Sequence, residues 1–183
     1  MKNVLTAVKL FLVLGVATGL VYPLVVWGGA RLFFRGKAEG SIVTVSGRPV
    51  GSALVGQAFS GPGYFHPRPS ATGYGTMPSG GSDLSPASAA LRAAEARRAA
   101  AGDGDSPDML CASASGLDPD ISPEAALAQA GRVARARGAS KVDIISLVKA
   151  FIEPRQFGFL GEPRANVLLL NLELDRKYPY AGK

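Results

Sequence analysis

Apolar residues are distributed very unevenly along this chain. From Leu10 to Ala30 it runs 21 residues without a charge. A helix of that length is roughly 31 Å long, a match for a hydrocarbon core of about 30 Å. The pattern therefore predicts one N-terminal transmembrane helix at 10–30, with a short tail at 1–9 and a juxtamembrane linker at 31–40. Gly28, Gly29 and Ala30 loosely resemble a signal-peptide cleavage site. The apolar part of such a peptide is usually about 7–15 residues, so the length favours a retained anchor.

Beyond the anchor the pattern is that of one α/β domain at 41–183. Ile42, Val43 and Val45 lead to Gly47 and Pro49, with Val50 and Leu54 beyond, which predicts short strands around a turn. Residues 61–86 are rich in Pro, Gly and Ser, yet Tyr64, Phe65, Tyr74 and Leu84 supply side chains to bury, so the segment is expected to be a long ordered loop. Ser85-Pro86 predicts the start of an Ala-rich helix to about Ala101, ended by Gly102. Met109–Ala112 reads as a short strand. Ser122-Pro123 and Gly138 bound a second helix, and Ser140 caps a third from Lys141 to about Ile152, apolar around most of its circumference and hence expected to be largely buried. Val167 to Leu174, dense in leucine, reads as a central or half-buried strand with Asn171 and Glu173 pointing outward.

Charge refines the picture. The net charge of +6 suggests a polyanion partner until it is divided along the chain. Residues 1–37 hold five of the 20 basic groups and none of the 14 acidic ones, so the remaining 146 residues are nearly neutral. The excess flanks the membrane segment, where basic side chains snorkel to headgroups, and no nucleic-acid surface is implied. Lys2 and Lys9 on one side against Arg31, Arg35 and Lys37 on the other leave the positive-inside count close to a tie. A long domain after a short N-terminal anchor translocates largely regardless of charge, so the expectation is extracytoplasmic.

Candidate chemistry is sparse. One cysteine, Cys111, and one histidine, His66, exclude a disulfide within the chain and a thiolate or imidazole metal cage. Cys111 is expected to act as a small buried hydrophobe. Gly36-Lys37 lacks the rest of a phosphate-binding P-loop, and no G-x-G-x-x-G follows a strand, so no cofactor is bound by a recognisable motif. Ser146 and Lys149 match S-x-x-K, the spacing of a serine–lysine dyad in a periplasmic acyl-transfer enzyme. Asp143 lies beside them on a polar stripe, which favours a solvated helix face. In the anchor, Gly15 and Gly19 share one helical face and suit close helix packing, while Pro23 leaves the carbonyl of Gly19 to a neighbour or a kink.

Several segments are distinctive together: Tyr64-Phe65-His66-Pro67-Arg68-Pro69-Ser70-Ala71, Ser79-Gly80-Gly81-Ser82, Ser115 to Pro123, Arg132 to Gly138, Leu160 to Val167, and Gly19 to Pro23 in the anchor. They resemble the C subunit of the Kdp potassium-transporting P-type ATPase over nearly the whole chain. The family pattern usually has Gly, Asn and His where Pro67, Asp83 and Asp120 stand. The resemblance implies a single-pass protein of the bacterial inner membrane with a periplasmic domain. It further implies an accessory, non-catalytic subunit needed for assembly, a catalytic chaperone that raises the ATP affinity of the pump subunit. Its implied partners are a channel-like potassium subunit, the ATP-hydrolysing pump subunit and a tiny accessory peptide. Direct contact with ATP is left open, since an extracytoplasmic domain does not meet cytoplasmic nucleotide. Tyr64, Phe65 and Arg68 are candidate partner contacts by residue type. Ser79, Gly80, Gly81, Ser82, Asp118 and Arg132 join them from the motifs, although many of these glycines and prolines are expected simply to shape turns and helix starts.

Overall fold

A computed structural model describes residues 2–104 and 106–180, and it divides into two compact units at residue 43.

The first unit is dominated by one continuous helical rod, Lys2–Phe33, 32 residues long and apolar enough to cross a membrane, with none of its residues buried. It extends past the uncharged run at both ends because nothing there breaks a helix. Its parts are α1 (Lys2–Val16), a π-helical turn (Ala17–Val21) and α2 (Tyr22–Phe33), followed by a short α3 (Arg35–Ala38). The wide turn is the local answer to Pro23. The Tyr22 N–H reaches back five residues to the Ala17 carbonyl, which opens the helix just ahead of the ring and absorbs the missing donor within the helix itself. Gly15 and Gly19 lie on its open surface, where an added Cβ would meet nothing within 4 Å.

The division falls inside the first strand of a hairpin, β1 (Ile42–Val45) and β2 (Arg48–Ser52), turned by Ser46 and Gly47, both at positive φ. No helix or strand occurs from 53 to 88. Then follow α4 (Ala89–Ala100), α5 (Pro107–Leu110), β3 (Asp120–Ile121), α6 (Pro123–Arg137), α7 (Lys141–Ala150), β4 (Ile152–Glu153), β5 (Arg164–Asn166) and α8 (Val167–Lys177). The short antiparallel sheet has the order β3-β5-β4, with Ala165 opposite both Ile121 and Ile152. Its inner face meets α6, α7 and α8 over one core that includes Ile121, Ala130, Val133, Ile144, Val148, Leu170 and Leu174.

Helix α6 starts and stops at its expected signals: Ser122 caps the Ala125 N–H, and Gly138 closes it in the left-handed conformation. Elsewhere the sequence expectations need correction. The segment 167–174 is a helix, not a strand. The Asn166 side chain caps the Leu169 N–H, and the buried positions 167, 168, 170, 171 and 174 follow helical rather than alternating spacing. Asn171, expected outward, is therefore buried. Residues 109–112 contain no strand either, because Ser106-Pro107 opens the turn of α5. Helix α4 starts three residues late, capped by Ser88, while Ser85 closes a preceding turn onto the Ala87 N–H. Helix α7 buries only Ile144, Leu147 and Val148; Val142 faces solvent, and Ile152 leaves the helix to join the sheet.

Candidate functional site

The segment 62–66 has no regular structure, so its backbone needs partners from elsewhere. Helices α6 and α8 supply them from side chains. Asn171 binds both backbone groups of Phe65, accepting from its N–H at 2.8 Å and donating to its carbonyl at 2.9 Å. Gln129 does the same for His66, at 2.7 and 3.0 Å. Arg132 donates to the carbonyls of Pro62 and Tyr64 at 2.8 and 2.9 Å, and Arg137 to that of Gly63 at 2.6 Å. Every carbonyl from Pro62 to His66 is thus held by a side chain of α6 or α8.

Two charged knots lock this clamp. In one, Asp103 lies 2.8 Å from His66 Nδ1 and 2.9 Å from Arg132 Nε. Burial pushes the Asp103 pKa up, but the hydrogen bond from His66 and the charges of His66 and Arg132 outweigh it and hold it below the ordinary value. In the other, the Arg137 side chain is fully buried and pairs with Asp175 at 2.8 Å. It donates to the Tyr178 carbonyl, and its guanidinium stacks on Tyr64 and Tyr180 at 4.8 and 5.2 Å from the ring centres. Tyr64 in turn donates to Asp175 at 3.2 Å; burial, then the Asp175 charge, raise its pKa.

Beyond the clamp, Arg68 reaches an open groove of about 620 Å³ lined by Asp108, Asp118, Asp120, Glu124, Glu162 and Arg164 among others. Arg68 pairs with Asp118 at 2.9 Å. Arg164 spans Asp120 and Glu153, each at 3.1 Å. Asp120 is raised by burial, which the hydrogen bond from Asn166 and the Arg164 charge only partly oppose. Five carboxylates against two guanidiniums give the groove a net negative lining, which repels a free anion.

The sequence candidates separate by place. Arg68 and Asp118 meet at the groove, while Tyr64, Phe65 and Arg132 belong to the clamp. Phe65 is a correction: it is fully buried in the core and offers no surface to a partner. Ser79 is exposed, and Gly80, Gly81 and Ser82 lie half-buried, with Gly81 packed on Ala114. There Gly116, at φ +69°, comes so close that an added Cβ would sit 2.8 Å from the Gly80 carbonyl and from Thr72 Oγ1. Gly15, Gly19 and Pro23 lie in the other unit. The Ser146 hydroxyl donates to its own helix at Val142, 2.9 Å away, and both Ser146 and Lys149 are exposed, so the pair lacks the buried surroundings that would activate a nucleophile. Cys111 is half-buried rather than buried, its thiol 3.6 Å from Glu95.

Sequence reasoning missed Gln129, Asn171 and Arg137 as the holders of the clamp. A usable signal exists for the first two: each is an amide at a position where the helical period calls for an apolar residue. Arg137 carries no such mark, since a basic residue in a last helical turn is ordinary.

Comparison with known proteins agrees with the motif resemblance. Residues 4–176 match the family model described as K+-transporting ATPase, c chain. The chain is 51% identical to the potassium-transporting ATPase KdpC subunit of Myxococcus xanthus, over 95% of this chain and 88% of the relative. It is 50% identical to that of Geobacter sulfurreducens, over 98% and 100%, and 46% identical to that of Koribacter versatilis, over 97% and 96%. With both the apolar helix and the clamped domain inside these matches, the chain belongs to the C-chain family of K+-transporting ATPases.

Proposed function

We propose that this chain is the non-catalytic accessory subunit of an ATP-driven potassium uptake complex of the bacterial inner membrane. The helix Lys2–Phe33 anchors it, and the domain lies on the periplasmic side. The observation that carries the reading is the family match from residue 4 to residue 176, which takes in helix and domain together. Its partners are the channel-like potassium subunit, the ATP-hydrolysing pump subunit and the small accessory peptide. The exposed face of the helix at Gly15 and Gly19, where an added Cβ would meet nothing, suits packing against other membrane helices.

As a catalytic chaperone, the subunit raises the ATP affinity of the pump subunit by coupling rather than by contact. The acidic groove supports this, because its charge disfavours a triphosphate. Coupling is reciprocal: if the subunit tightens ATP binding tenfold, ATP tightens its association with the complex by the same factor, about 1.4 kcal/mol.

Affinity purification of the tagged chain in mild detergent, with a potassium-stimulated ATPase assay on the product, tests the assignment. The expected result is co-purification of the transport subunits, with a lower KM for ATP than in complexes lacking this chain, and no nucleotide binding by the chain alone. A monodisperse single protein from cells expressing the pump refutes it. A C-terminal alkaline phosphatase fusion tests the orientation, being active only if the domain is exported.

A further inference from the structure

The connection between β4 and β5 ends in an apolar tip that stays exposed among the described residues. Gln156 and Leu160 exchange both backbone hydrogen bonds at 2.9 Å, and the salt bridge Arg155–Glu162, at 2.6 Å, closes the base. On this small hairpin Phe157 is 88%, Phe159 71% and Leu160 47% exposed. Phe157 also sits at φ +53°, a left-handed conformation that suits Gly or Asn and is unfavourable for a bulky aromatic side chain. Two local penalties, backbone strain and a wetted ring, fall on one residue, and an exposure of 88% among the described residues leaves little packing to offset either. Strain of this kind persists where a site requires it.

We infer that residues 156–160 are an insertion tip that places the rings of Phe157 and Phe159 in an apolar concavity of another protein subunit of the transport complex. The inference rests on the accessory-subunit reading above. The surroundings of the tip favour a protein over a lipid surface. Its collar is Glu153, Arg155, Glu162 and Arg164, in which the salt bridges Arg155–Glu162 and Arg164–Glu153 balance the charge. Lipid-binding loops and helices instead carry an excess of Lys and Arg facing anionic headgroups. An aromatic centre inside a charge-balanced polar rim is the composition of a protein interface hot spot. A second copy is disfavoured on symmetry, because a tip entering a different surface of the next molecule makes a head-to-tail contact that need not close.

The test uses the full chain within its complex. In Phe157→Asn/Phe159→Ser the rings are lost while Asn accepts the left-handed backbone, so the domain keeps its melting temperature. Recovery of the transport subunits with the tagged variant is expected to fall about tenfold or more, the size of one hot-spot side chain. In parallel, p-benzoylphenylalanine at position 157 is expected to cross-link, on illumination of the assembled complex, to a transport subunit identified by its peptides. Unchanged recovery of the double variant, or cross-links confined to lipid or to a second copy of this chain, overturns the inference while leaving the accessory-subunit reading intact. Failure of the wild-type chain to recover any transport subunit refutes both.

Discussion

Arg137 provides the sharpest test of the clamp. Replacement by Ala removes charge-assisted hydrogen bonds to the carbonyls of Gly63 and Tyr178 and the stack between Tyr64 and Tyr180. A hydrogen bond to a charged group contributes about 1.5–3 kcal/mol, and a partly desolvated cation–π contact about 1 kcal/mol. Asp175 adds little, because its side chain is 40% exposed and water solvates it once its partner is gone. Allowing for relaxation that lets water reach the two carbonyls, the loss should be about 3–5 kcal/mol, a large part of the ~5–15 kcal/mol that stabilises a typical domain. With an m-value of ~2 kcal/mol/M the urea midpoint falls by about 2 M. The assay is near-UV circular dichroism of the tyrosines in the full chain, since the only tryptophan, Trp27, lies in the membrane helix and does not report on the domain. Arg137→Lys keeps the charge but not the planar fork, and should recover less than half of the loss. A midpoint shift under about 0.5 M for Arg137→Ala would refute the clamp as a main support of this unit.

Other expectations follow from the same geometry. Gly116→Ala combines a left-handed φ with a close approach to the Gly80 carbonyl, and should cost about 1–3 kcal/mol; hydrogen exchange should quicken first at residues 70–82. Asp103, with a folded pKa below its ordinary 3.8, contributes stability that is fully present above that value and lost as pH falls through the folded pKa. The stability gap between the wild type and Asp103→Asn should therefore shrink as pH falls below about 4, as urea midpoints across acidic pH would show. Ser146→Ala, at an exposed position, should alter stability by less than about 0.5 kcal/mol and leave potassium-stimulated ATPase activity unchanged; abolished activity in an intact complex would revive the acyl-transfer alternative.

Much of this protein was legible in one dimension because its signals are local. An uncharged run defines a membrane-length helix whatever surrounds it, and Ser122-Pro123 with Gly138 bounds α6 because caps act within one turn of backbone. The family motifs were equally visible as words. What they do was not. Phe65 stands among the candidate contacts by residue type, but only the folded chain turns it inward, where Asn171 holds its backbone. The run 167–174 is ambiguous on its own, since a short leucine-dense stretch buries equally well as strand or helix; the Asn166 cap and the shape of the core decided for helix. The clamp on 62–66 joins residues more than 60 positions apart in sequence. No local pattern encodes it, because a carbonyl without a regular partner is satisfied by whichever side chain the tertiary structure brings within reach.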